Sequence, residues 1–239
     1  MLTRNEERTI ARALRSLPID MPVFVLDAES ADNTVVLATE LGARVERRGW
    51  TGFVDARRYA VSRVKTPWTF MLDADEALDP RLAQALAGAP EDAEAYIVRR
   101  TSWFCGRPIR RWTGEPLVRL FRTDRARLEA HPETRGSADV HERWIVDGPV
   151  GELAGSLVHY SYPSIATYRQ KFAEYTTLES LGLRTSVPRL CFVATRAVAR
   201  FLAHLLLRGM LLDGWRGLYV GFWSELYPVV VHWKALRLR

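Results

Sequence analysis

Apolar residues recur through the first 72 positions in alternating blocks, some at helical spacing and some as short runs. Ile10, Ala13, Leu14 and Leu17 share one side of a helix that Thr3-x-x-Glu6 would open as a capping box and Pro18 would close. On this pattern the chain begins at a helix. Met21 to Leu26 is an apolar run ending in Asp27, and Ser30-Ala-Asp-Asn33 then turns into a helix with Val35, Val36, Ala38 and Leu41, closed by Gly42. Ala43 to Glu46 predicts a further strand, Phe53 to Arg63 a third helix, and Pro67 to Leu72 the strand that delivers Asp73 and Asp75. Strands alternating with helices of about ten residues predict a parallel sheet with helices packed on it, whose ligands bind at the carboxyl ends of the strands.

Asp27, Asp73 and Asp75 all fall at such ends. An isolated Asp-x-Asp reads equally as a turn before a helix N-terminus. Three carboxylates from two strands converging on one edge favour a site. Carboxylate oxygens are hard ligands suited to Mg²⁺ or Mn²⁺, which take one or two protein carboxylates while substrate phosphates and water complete the shell. The chemistry therefore points to a nucleotide diphosphate.

The C-terminal third has a different pattern. From Leu190 to Leu212 the chain is mostly apolar, yet Arg196, Arg200, His204 and Arg208 recur at every fourth position and so lie on one helical stripe. A wide apolar face with a basic stripe predicts a helix lying in the headgroup region of a bilayer, with packing on the catalytic domain as the alternative. A span is disfavoured, because charges interrupt the run short of about 20 apolar residues. Trp215 to Trp233 then carries Tyr219, Phe222, Trp223 and Tyr227, followed by Lys234, Arg237 and Arg239, a combination common at membrane interfaces.

The bulk numbers add little. A chain of 239 residues with 48% hydrophobic content can build a substantial core, and its net charge of +6 suits an anionic partner without naming one. Cys105 and Cys191 stand far apart, which indicates neither a disulfide scaffold nor a zinc site and fits a reducing cytosol. Nothing at the N-terminus resembles a signal peptide. Trp103 to Trp112 is both aromatic and basic, which suits an anionic saccharide or single-stranded nucleic acid alike.

Taken in order, Thr3-Arg4-Asn5-Glu6, Asp27-Ala-Glu-Ser-Ala-Asp-Asn-Thr34 and Asp73-Ala-Asp75 resemble the family 2 glycosyltransferases of GT-A fold. Gly49-Trp50-Thr51-Gly52-Phe53, Leu120-Phe121-Arg122, Val140-His141-Glu142, His159-Tyr160-Ser161-Tyr162 and the segment Gly209 to Gly214 are similar to the lipopolysaccharide-core branch of that family, the WaaE/KdtX-type glucosyltransferases. The resemblance implies an α/β fold, a Rossmann-like GT-A domain with a mixed central sheet flanked by helices, over residues 1–162. A C-terminal amphipathic helical, membrane-associating region follows over residues 163–239. That family places a hydrophobic strand before Thr-x-Asn-Glu, and here this first strand is expected to be missing.

The resemblance also assigns roles. Asp27 would hydrogen-bond the uracil with Thr3 and Glu6 beside it, Arg57 would line the nucleotide pocket with Arg58 in place of the usual Asn, and Asp73 would contact ribose or sugar. Asp75 and His159 would hold a divalent metal, Mg²⁺ or Mn²⁺. Glu142 would be the catalytic base, with Asp139 the second choice, and Arg119 or Arg122 would help neutralise the departing diphosphate. The expected activity is inverting transfer of glucose from a UDP-sugar donor to a lipid-linked saccharide acceptor in lipopolysaccharide core biosynthesis. The protein would be cytoplasmic, peripheral on the inner face of the cytoplasmic membrane, with no nucleic acid as partner. The alternative is a non-catalytic membrane or nucleic-acid binding protein on a GT-A scaffold. A phosphatase of the haloacid dehalogenase type ranks last, because its Asp-x-Asp follows the first strand and this one comes late.

Overall fold

The computed structural model describes residues 1–88, 92–130, 142–207 and 209–238. The chain forms two compact units, and each is described by itself. The first gathers residues 1–101, 114–130 and 142–160; the second gathers 102–113 and 161–238. The tip of a long hairpin is grouped with the C-terminal helices in the second unit.

In the first unit, strands β1 (Leu2–Thr3), β2 (Phe24–Asp27) and β3 (Arg44–Arg47) form a parallel three-stranded sheet in that order. Helices α1 (Ile10–Arg15), α2 (Thr34–Glu40) and α3 (Phe53–Ser62) alternate with them as the apolar spacing predicts. β1 corrects two expectations. Leu2 and Thr3 pair with Leu26 and Asp27, so a first strand is present, and Thr3 sits on it instead of capping a helix. The capping box fails because its side chains have other partners. Thr3 Oγ1 donates to Asp27 at 3.0 Å, and Glu6 accepts from the Thr9 hydroxyl at 2.6 Å, so the helix starts only at Ile10.

The second sheet is where sequence pattern is least informative. β4 (Trp68–Phe70), β5 (Glu76–Leu78), β6 (Ala95–Phe104), β7 (Arg107–Arg122) and β10 (Val150–Tyr162) lie in the order β4-β7-β6-β10-β5. β4 runs antiparallel to β7, and β5 antiparallel to β10, so a parallel sheet is correct only for β1 to β3. β8 (Ala126–Ala130) and β9 (Glu142–Val146) make a separate antiparallel ribbon. β6 and β7 are joined by Cys105 and Gly106 at φ 47° and 79°, the positive pair that a two-residue hairpin of primed type requires.

α4 (Pro80–Ala87) is capped by Asp79, whose Oδ1 accepts from Leu82 N at 2.7 Å and whose Oδ2 accepts from Ser156 N at 2.9 Å. Gly155 makes that double use possible. Its φ is +102°, and a Cβ there would lie 2.3 Å from the Leu82 nitrogen. Gly155→Ala is therefore expected to cost about 3 kcal/mol or more, read as a fall in the urea midpoint at unchanged slope. The core of this unit is built from Ile10, Leu14, Val25, Leu82, Leu120 and Leu157, all buried.

The second unit packs α5 (Ile165–Ser180), α6 (Val187–Leu207) and α7 (Gly214–Arg237), with a 3₁₀ turn at Met210–Asp213 before α7. Its core joins Phe104, Ile109, Tyr168 and Val220, with Tyr219 stacked on Phe104 at 5.4 Å. Glu225 of α7 is 3% exposed and lies 3.0 Å from each of Arg111, Arg200 and His204. A carboxylate can stay charged in such a place only when paired, so this cluster sets which side of α6 faces α7. No single helix among the described residues is long and apolar enough to cross a membrane.

Candidate active site

Two polar clusters stand at strand ends in the first unit. The first is centred on Asp27, which ends β2 and is fully buried. Its oxygens accept from Thr3 Oγ1 at 3.0 Å, Ser30 N at 2.9 Å and the Ser30 hydroxyl, and Arg47 Nε lies 3.7 Å away. Asn5, at φ 56°, locks the adjoining loops reciprocally: its N donates to Ser30 Oγ at 2.8 Å and its Oδ1 accepts from Ala31 N at 2.9 Å. Glu6 N donates to Thr34 Oγ1 at 2.7 Å. In this conformation Asp27 organises the loops after β1 and β2.

The second cluster is the turn between β4 and β5. Asp73 accepts from Arg57 of α3 and from Arg119 of β7, each at 3.1 Å. Arg119 Nη2 also donates to Glu76 at 2.6 Å, and Arg100 of β6 reaches the same Glu76 oxygen at 3.3 Å. The other Glu76 oxygen accepts from Asp73 N at 3.1 Å and closes the turn. Burial alone would push Asp73 up, but the Arg57 and Arg119 guanidiniums outweigh it and hold its carboxyl well below the usual carboxylate range. Burial pushes Glu76 up, and Arg119 offsets only part of that. Burial likewise works against the Arg119 charge, yet Glu76 and Asp73 keep it firmly protonated.

Asp75 points differently. Its Oδ2 lies 3.2 Å from His159 Nε2, and both side chains are 19% exposed. The fold enforces the pairing: His159 of β10 stands opposite Glu76 in register, and Tyr160 N donates to the Asp75 carbonyl at 2.8 Å. Residues 84 positions apart are thus brought together by one strand pair. Among the described residues no group of three or more His, Cys, Asp or Glu side chains is close enough to hold a metal on its own. An Asp–His pair does fit a divalent ion that keeps most of its shell for diphosphate and water.

The remaining expectations sort as follows. Arg119 is buried beneath Asp73 and Glu76, so its role is to hold the carboxylates and not to meet a departing diphosphate. Arg122 lies over the Trp68 ring at 4.9 Å and 3.7 Å from Glu94. Arg58 donates to the Leu128 carbonyl at 2.8 Å, which braces α3 against β8. Glu142 opens β9 opposite Ala130, while Asp139 and His141 lie outside the described residues. In the second unit, Arg110 and Arg111 of the aromatic hairpin are engaged with Asp213 and Glu225. Arg196 is exposed, and Arg208 lies outside the described residues.

Glu76 and Arg100 belong to these clusters without a role read from the sequence, and Asn5 and Ser30 lie in the quoted motifs without an assigned role. A signal for Glu76 existed. Arg119 interrupts the otherwise apolar run Leu117-Val118-Arg119-Leu120-Phe121, and an arginine on a buried strand requires a carboxylate partner. A cavity of about 500 Å³ lies elsewhere in this unit, lined by Leu17, Val23, Phe24, Trp68, Phe70 and Leu86. It opens at the starts of β2 and β4 and includes none of the acidic residues above, so it is not where the chemistry sits.

Residues 1–139 match the profile of glycosyl transferase family 2. An uncharacterized glycosyltransferase of Rickettsia typhi is 30% identical over 195 residues, covering 77% of this chain and 66% of its own. The lipopolysaccharide core biosynthesis glycosyltransferase LpsC of Rhizobium meliloti is 26% identical over 190 residues, covering 74% of this chain and 67% of its own. Among solved structures, residues 1–349 of TarS from S. aureus align at a TM-score of 0.45 and 14% identity, covering 99% of this chain and 86% of that one. The chain spans between 28% and 66% of the lengths of the Rickettsia relatives that it matches.

Proposed function

The chain belongs to glycosyl transferase family 2 and has its GT-A-like α/β fold, and from that premise we propose that it is an inverting, metal-dependent hexosyltransferase. In this reading it moves glucose from a UDP-sugar to a lipid-linked saccharide of the lipopolysaccharide core, as a member of the WaaE/KdtX-type branch. The observation that carries the reading is the Asp75–His159 pair at 3.2 Å beside an Asp73 that two guanidiniums keep ionised. The likeness to LpsC supports the choice of acceptor.

Asp75 and His159 would hold Mg²⁺ or Mn²⁺, and the bound ion supplies charge neutralisation for the departing diphosphate. The chain's own residues supply the rest. Asp73, kept anionic by Arg57 and Arg119, accepts hydroxyl hydrogen bonds from the ribose or the sugar. The loops that Asp27, Thr3, Asn5 and Ser30 organise, with Glu6 beside them, form the wall against which the uracil rests. Glu142 takes the proton from the attacking acceptor hydroxyl, with Asp139 as the second candidate, and attack from the face opposite the diphosphate inverts the anomeric carbon. The reaction would take place at the inner face of the cytoplasmic membrane.

The test is UDP release from UDP-glucose, with Mg²⁺ or Mn²⁺ and purified heptose-containing core as acceptor. Glu142→Gln is expected to keep UDP affinity and to lose about a hundredfold to ten-thousandfold in turnover. A variant at full rate would remove Glu142 from the role of base. Tight UDP binding without turnover on any acceptor would instead favour a binding protein on this scaffold.

A further inference from the structure

Two members of the basic stripe of α6 are held by the neighbouring helix, while Arg196 is exposed. Arg200 and His204 close on buried Glu225 of α7, each at 3.0 Å, together with Arg111. Beside them α6 exposes a broad set of apolar side chains. Cys191, Phe192, Val198, Ala199, Leu202 and Ala203 are exposed there, with Phe192 at 54%, Val198 at 62% and Leu202 at 51%. None of them is charged.

α7 repeats the arrangement. Trp215, Leu218, Phe222 and Trp233 are exposed at helical spacing, while Gly217, Val220, Gly221 and Glu225 face inward. Phe201 and Phe222 meet edge to face at 6.3 Å, which joins the two exposed surfaces into one. Leu211 and Leu212 continue it through the turn between the helices, at 59% and 70% exposure. An apolar surface of this extent, bordered by arginines, is unlike an ordinary water-facing helix pair.

Charge selects what covers it. Residues 161–239 carry eleven Lys and Arg against four Asp and Glu, whereas residues 1–160 carry 23 against 24. The positive surplus of the whole chain therefore belongs to this unit. A second copy would bring like charge against like charge, while an anionic lipid surface is complementary. Guanidiniums also flank the exposed rings, with Arg189 over Phe192 at 5.6 Å, Arg216 over Trp215 at 4.8 Å and Arg237 over Trp233 at 4.2 Å. Aromatic rings paired with basic groups suit the boundary between headgroups and acyl chains.

We propose that the joint outer face of α6, the Leu211–Leu212 turn and α7 is a monotopic membrane-docking surface that inserts into an anionic bilayer through Phe192, Leu202, Leu212, Trp215 and Phe222. This deepens the lipid-linked reading of the function by naming the surface that meets the lipid. Its test reads binding and not turnover, so either can fail alone.

The test uses the full chain and vesicles of phosphatidylcholine containing about one-third phosphatidylglycerol. Wild-type protein is expected to sediment with them, and the pair Leu202→Glu with Phe222→Glu to reduce the bound fraction about tenfold, with unchanged melting and UDP affinity. Brominated acyl chains are expected to quench wild-type tryptophan emission, a readout that needs no variant. Unquenched emission, or vesicle binding by the double variant at wild-type strength, overturns the proposal. So does a wild-type dimer in sedimentation velocity that the two glutamates dissociate, since the face would then be a contact between copies of this chain.

Discussion

Arg119→Met is expected to destabilise the first unit by about 3–5 kcal/mol, the largest stability effect at any position near the site. Arg119 is buried between two carboxylates, donating to Glu76 at 2.6 Å and to Asp73 at 3.1 Å. Methionine keeps much of the volume and removes the charge. Glu76, itself buried, then retains only Arg100 at 3.3 Å and the Asp73 amide. A buried carboxylate stripped of its main cation costs more than the pair contributes when intact, so the damage exceeds the value of the interaction. Arg119→Met combined with Glu76→Met is accordingly expected to recover much of the loss, with a coupling energy of about 1–3 kcal/mol in a double-mutant cycle. Urea unfolding of the four proteins measures this. An Arg119→Met protein with the wild-type midpoint would show that the buried cluster contributes nothing to stability.

Asp75→Asn is expected to have the largest effect on activity. Asparagine keeps the shape of the side chain and a hydrogen bond to His159, but it removes the negative charge from the pair that would hold the ion. Turnover of the UDP-sugar should fall about a thousandfold, the scale set by losing a preorganised electrostatic contact in a closed site. Calorimetric UDP affinity should lose its dependence on Mn²⁺. Stability should change by no more than about 0.5 kcal/mol, since asparagine keeps the shape of the side chain and its hydrogen bond to His159. His159→Ala should move turnover and Mn²⁺ dependence in the same direction. If Mn²⁺ still strengthened UDP binding in Asp75→Asn, the metal assignment would be wrong and other residues would have to supply the ligands.

The two variants separate what holds the turn from what acts in it. Glu76 and Arg119 are closed off from solvent, while Asp73, Asp75 and His159 each keep about a fifth of their side chain open to it. A turn built this way holds Asp75 and His159 in place through the ionic cluster beside them.

The order of the early elements was legible because it is local. Helical spacing of Val35, Val36, Ala38 and Leu41, the stop at Gly42 and the run before Asp27 each depend on neighbours a few residues away, and α2, α3, β2 and β3 follow them. The capping box at Thr3 misled for the complementary reason. Its serviceable local chemistry lost to a partner 24 residues distant, when Asp27 took the Thr3 hydroxyl. β5 was invisible for the same cause. Glu76-Ala77-Leu78 reads as polar turn followed by helix, and only the pairing with β10 and the burial of Glu76 against Arg119 make it a strand.

The pairing of Asp75 with His159 shows how far resemblance carries. Both residues could be named from motifs, but nothing local specifies that they meet. That contact is a matter of register between β5 and β10. The α6 stripe makes the stronger case, since its period is local while the partners of its members are not. Four-residue spacing places Arg196, Arg200 and His204 on one side of a helix whatever that side faces. Glu225, two dozen residues later and on another helix, decides which carboxylate Arg200 and His204 pair with.

By itself, then, the sequence determined the local alternation of strands and helices, the family motifs and the periodicity of the basic stripe, because each depends on residues close along the chain. Tertiary structure alone decided the strand order, the burial of Arg119 and Glu76, the meeting of Asp75 with His159 and the outward turn of the apolar face. Those depend on which distant groups neutralise one another once water is excluded.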